Sequence, residues 1–85
     1  MNKRQAIELA LRLRAQCQTW NEFGQNTWVH LSESDENDEY FVKLTSNTPA
    51  ILHIDKILGK VGVTSYWFQA DGGVPVVVID KHPLS

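Results

Sequence analysis

The sequence predicts a small α+β domain in the order α-β-β-α-β-β, with two helices packed on one face of a mostly antiparallel four-stranded sheet. Three observations lead there. Two segments carry apolar residues at helical spacing, and two pairs of short β-branched and aromatic runs flank polar or glycine-rich turns. The chain's 85 residues, 42% of them hydrophobic, suffice for one domain over residues 1–85 and not for two.

Residues 3–20 read as the first helix. Ala6, Leu9, Ala10, Leu13, Cys17 and Trp20 share one face, and Arg4, Glu8 and Arg12 stand at favourable i,i+4 spacing on the polar side. Ile7 and Leu11 form a second narrow strip, which predicts that this helix touches more than one surface. Gly24 is the expected end of the helical region.

Residues 27–32 and 40–45 have strand length and composition, and the apolar-free segment between them predicts an antiparallel hairpin. Alternation sets Val29 and Leu31 opposite Trp28 and His30. It likewise sets Tyr40, Val42 and Leu44 opposite Phe41, Lys43 and Thr45. The aliphatic sets are the expected core, which leaves Trp28 and Phe41 on the other face.

Thr48-Pro49 is a helix-start signature, with Thr48 as N-cap. From there Ala50, Ile51, Ile54, Ile57, Leu58 and Val61 share one side of a predicted second helix that Gly62 terminates. The last hairpin is expected over 63–69 and 74–80 around the turn Ala70-Asp71-Gly72-Gly73. Val76-Val77-Val78-Ile79 is apolar on both sides, which predicts a strand inside the sheet and covered twice. Either Tyr66 and Phe68 or Val63 and Trp67 would then join Trp28 and Phe41 on the face opposite the helices.

The formal net charge of −2 conceals a segregated chain. Residues 1–20 net +3, residues 21–40 net −6 and residues 41–85 net +1. This asymmetry suits encounter with a charged partner and says nothing about fold. The acidic hairpin loop, residues 32–39, contains Glu33, Asp35, Glu36, Asp38 and Glu39. It fails as a calcium loop, because a start at Asp35 places Tyr40 where the turn glycine belongs and Ser46 where the bidentate Glu belongs. It is read instead as a solubilising loop and a candidate contact for a basic protein partner.

Other chemistry finds little support. Cys17 lies mid-stripe on a helix, as a buried hydrophobe does, and a single cysteine with no signal-peptide pattern fits a cytoplasmic setting. His30, His53 and His82 have no metal-ligand spacing, so no metal or other cofactor is expected. Gly59-Lys60-Val61-Gly62 lacks the order of a phosphate loop. Lys3, Arg4, Arg12 and Arg14 do not share a helix face, which argues against nucleic acid as a partner. No run is long enough to span a bilayer.

The sequence therefore predicts a non-enzymatic protein that works through protein–protein contacts, as a regulator, inhibitor or immunity-type protein, and as a homodimer. The surplus aromatics on a thin domain motivate this reading. Candidate contacts are the acidic residues of the loop together with Trp28 and Phe41. The alternative is a small-ligand module whose pocket is lined by Trp28, His30, Phe41 and Tyr66 or Trp67, at the sheet face or a dimer seam.

Overall fold

The structure, a computed structural model, describes residues 1–20, 27–34, 39–47 and 49–83, except the side chains of Ala50 and Asp71. Its elements are α1 (Lys3–Thr19), β1 (Thr27–Glu33), β2 (Tyr40–Ser46), a 3-10 turn (Pro49–His53), α2 (Asp55–Lys60), β3 (Trp67–Asp71) and β4 (Val74–Ile79). The strands form one antiparallel sheet in the order β1-β2-β4-β3. The α+β architecture read from the sequence is the one observed.

A reciprocal cap starts α1. The Gln5 N–H donates to Asn2 Oδ1 at 2.8 Å, and the Asn2 N–H donates to Gln5 Oε1 at 3.1 Å. The stripe Ala6, Leu9, Ala10, Leu13 and Cys17 is buried against the sheet, while Trp20 is the half-buried C-cap residue. α1 does touch a second surface, α2, as well as the sheet, but not through Ile7 and Leu11. These two side chains are 41% and 58% exposed, on a helix that packs over β1 and β2 and beside α2. The predicted stop at Gly24 lies outside the described residues.

The second helix is not continuous. Pro49–His53 is 3-10 and only Asp55–Lys60 is α-helical. Ile51, Ile54 and Ile57 are spaced by three, and bonds of 3-10 type link them, from the Ile54 N–H to Ile51 O and from the Ile57 N–H, at the start of α2, to Ile54 O. β-Branched residues lose rotamer freedom in an α-helix, so burial of this row outweighs α-helical propensity. Ile51, Ile54, Ile57, Leu58 and Val61 are all core residues. Thr48, the expected cap, lies outside the described residues.

Gly62, at φ +83°, ends α2 as expected. The Val63 N–H donates to Leu58 O at 2.9 Å and the Gly62 N–H to Gly59 O at 3.1 Å, a Schellman closure. That closure moves the start of the next strand. It uses the Val63 N–H and turns the Val63 side chain into the core, so β3 begins at Trp67 and not at residue 63. The hairpin turn also shortens to Gly72-Gly73, with φ of +60° and +86°, while Ala70 and Asp71 belong to the strand.

β4 lies inside the sheet, between β2 and β3. It is not covered twice. The helices pack on the face of Val42, Leu44, Val77 and Ile79, and no described element lies over the other face. Val76 and Val78 are nevertheless only 6% and 2% exposed, screened by longer side chains in the same face. At the other end of the domain, the Tyr40 N–H donates to Met1 O at 2.8 Å and the Met1 ammonium donates to Asp80 O at 3.1 Å.

Candidate functional site

The uncovered sheet face is the candidate site. Pairings Trp28↔Thr45, His30↔Lys43 and Ser32↔Phe41 join β1 to β2, and Lys43↔Val78 and Thr45↔Val76 join β2 to β4. Trp67↔Val78 and Gln69↔Val76 extend the same face onto β3. Alternation along each strand thus gathers Trp28, Phe41 and Trp67 around a middle of Lys43, Thr45, Val76, Val78 and Gln69. Phe41 and Trp67 meet edge to face across β4, with centroids 6.5 Å apart and planes at 78°. Trp28 is 53% exposed at the opposite side of the face.

A shallow hollow of about 310 Å³ opens between His30, Lys43, Thr45, Gln69, Val74 and Val76. His30 Nε2 lies 3.3 Å from Thr45 Oγ1. Partial burial, and next the neighbouring Lys43 cation, hold the His30 imidazole below its ordinary pKa. A second hollow of about 210 Å³ lies between Ser32, Phe41, Lys43, Trp67, Gln69 and Val78. Both hollows are open dishes on a strand surface, with one ammonium group and amide and hydroxyl donors in their walls.

Of the residues the sequence singled out, Trp28, His30, Phe41 and Trp67 share this face. Tyr66 does not. It packs with Phe68, centroids 6.1 Å apart, and against the core on the helix side. The parity of β3 thus selects Trp67 over Tyr66. Of the acidic candidates, Glu33 is exposed at the end of β1 and Glu39 stands 3.9 Å from the Met1 ammonium. Asp35, Glu36 and Asp38 lie outside the described residues.

The remaining nucleophiles and histidines are scattered. Cys17 is a core residue whose thiol burial pushes up in pKa, which opposes thiolate formation. His53 is exposed on the 3-10 turn, and buried His82 has Nε2 3.6 Å from Glu8 Oε1. Among the described residues no three His, Cys, Asp or Glu side chains converge as metal ligands do.

Lys43, Thr45 and Gln69 are not among the site residues that the sequence points to. The signal for Lys43 and Thr45 was the alternation that sets them beside Phe41. Gln69 needed the length of the Gly72-Gly73 turn, which fixes the register of β3. Compared with models of protein families, with curated proteins and with solved structures, the chain matches none.

Proposed function

We propose that the protein is a cytoplasmic, non-enzymatic binding protein that acts through contact with another protein, and that it does so as a homodimer. One observation carries this reading: a sheet face with no described layer over it presents Trp28, Phe41 and Trp67 around the buried side chains of Val76 and Val78. Aromatic side chains offer large contact area at low entropic cost, and they are enriched among the residues that carry binding energy at protein interfaces. The acidic segment from Glu33 to Glu39 would add electrostatic steering toward a basic partner.

The test is capture of partners from native lysate with the wild-type protein and with a Trp28→Ser/Phe41→Ser variant. Far-UV circular dichroism checks that the variant remains folded. The expected result is loss of the captured protein from the variant lane, with salt-sensitive weakening when Glu33, Asp35, Glu36, Asp38 and Glu39 are neutralised. Equal capture by a folded variant would retire the face as the contact surface.

The hollow at His30, Lys43, Thr45 and Gln69 favours a second reading, a site for a small anionic ligand. Chemical-shift mapping with small carboxylates and phosphates separates the two. Saturable shifts confined to that hollow support the ligand site.

A further inference from the structure

We infer that a second copy of this chain joins at the outer edge of β3, continuing the sheet across a two-fold axis into eight strands. The inference rests on the homodimeric reading above and says where the seam lies.

The two edges of the sheet are treated differently. At the β1 edge, Arg14 of α1 donates to the Val29 carbonyl at 2.8 Å, occupying a backbone acceptor that a strand neighbour would need. At the β3 edge, no described side chain occupies a backbone group. The closing pair of a two-residue hairpin, here Asp71↔Val74, exchanges both of its hydrogen bonds, and such pairs recur at alternate positions. Gln69 and Trp67 therefore bond inward to Val76 and Val78, and the N–H and C=O groups of Phe68 and Ala70 point outward. Two features support this phase. The same alternation carried across the sheet points the Val29 carbonyl outward, where Arg14 finds it. It also directs position 75 toward β2, and the β2–β4 ladder ends at Val76, next to a proline that has no N–H to give.

β3 also lacks the usual defences of an edge. Over Trp67–Asp71 it holds no proline and no lysine. Trp67 and Phe68 are 44% and 46% exposed, on opposite sides of the strand. An antiparallel pairing centred on Gln69 is self-complementary. It joins the outward groups of Phe68 to those of Ala70 in the other copy, and the reverse, so that a large ring faces a methyl group on the helix side. The axis stands perpendicular to the sheet, so both Trp28–Phe41–Trp67 faces open to the same side as one doubled surface. The half-exposed Phe68 ring of each copy has about 100 Å² left to bury. With Tyr66, Gln69 and the strand backbones, the seam stays below about 1,200 Å², the range of weak and transient interfaces, which corresponds to a concentration-dependent dimer.

Sedimentation of the full chain from micromolar to millimolar concentration, with two variants, tests this. Ala70→Pro removes an outward N–H while sparing the bonds to β4, and should weaken the dimer by at least about tenfold. Gln69→Cys places two thiols on the axis, at the Cα separation of about 4.5 Å that a non-hydrogen-bonded pair has and a disulfide accepts. It should give a covalent dimer under mild oxidation, where wild type and Leu31→Cys at the β1 edge do not. If Ala70→Pro fails to fold, the cross-link decides. A dimer that survives Ala70→Pro, or that cross-links through Leu31→Cys and not Gln69→Cys, overturns this seam and leaves homodimerisation standing. A monomer at millimolar concentration overturns both.

Discussion

The Arg14 guanidinium, carried by α1, donates to the Val29 carbonyl on β1 at 2.8 Å, so a helix side chain closes part of a sheet edge. A backbone acceptor that would otherwise wait for water or another strand is held within the molecule. Arg14 also ties α1 to the strand it covers.

Removing that donor should loosen the edge. Arg14→Ala is expected to lower unfolding free energy by about 1 kcal/mol, the usual net worth of one hydrogen bond, because partial exposure offsets the added strength of a charged donor. Urea denaturation at fixed protein concentration measures it. A variant as stable as wild type would show that water replaces the guanidinium without loss.

Phe41 and Trp67 should be coupled. Their edge-to-face contact spans β4, and such pairs contribute about 0.5–1.5 kcal/mol beyond the area they bury. A double-mutant cycle with Phe41→Leu and Trp67→Leu, read by denaturation, is expected to give a coupling in that range. Additive single effects would mean that the rings merely lie near one another.

His30 gives the open face a pH dependence of known sign. Its folded-state pKa is lowered, by burial first and Lys43 second, so the unfolded chain binds the proton more readily than the folded one. Its contribution is therefore present above the ordinary imidazole pKa and is lost as pH falls through the lower folded value. NMR titration should place the His30 midpoint below the ordinary value, and Lys43→Met should raise it partway back. A midpoint unmoved by Lys43→Met would remove the lysine as a cause.

Gly59 and Gly62 should respond oppositely to alanine. Gly59 sits in α2 with open space where a Cβ would go, so Gly59→Ala is expected to stabilise by about 0.5–1 kcal/mol. Gly62 has φ +83° in the Schellman closure, with the Pro83 Cβ 3.5 Å from an added methyl. Gly62→Ala should cost about 1 kcal/mol or more. Thermal melts of the two variants, moving in opposite directions, check both.

How far the sequence could be read follows from the range of each interaction. Helical spacing exposed the buried stripe of α1, and alternation separated Val42 and Leu44 from Phe41 and Lys43, because both periods are set by local backbone geometry. The capping box of Asn2 and Gln5, three residues apart, is equally local but is not among the features read from the sequence above. The break after Pro49–His53 was harder to see, since a row of isoleucines spaced by three serves a 3-10 turn and part of an α-helical stripe alike.

The sequence by itself determined the α-β-β-α-β-β order, most of the core, and the two sides of the first hairpin. Only the tertiary structure decided the strand order β1-β2-β4-β3, the late start of β3, the choice of Trp67 over Tyr66, and which sheet edge Arg14 occupies. The physical reason is range. Periodicity is fixed by neighbours a few bonds away, whereas register and edge exposure depend on hydrogen bonds and packing between segments that meet only when the chain has folded.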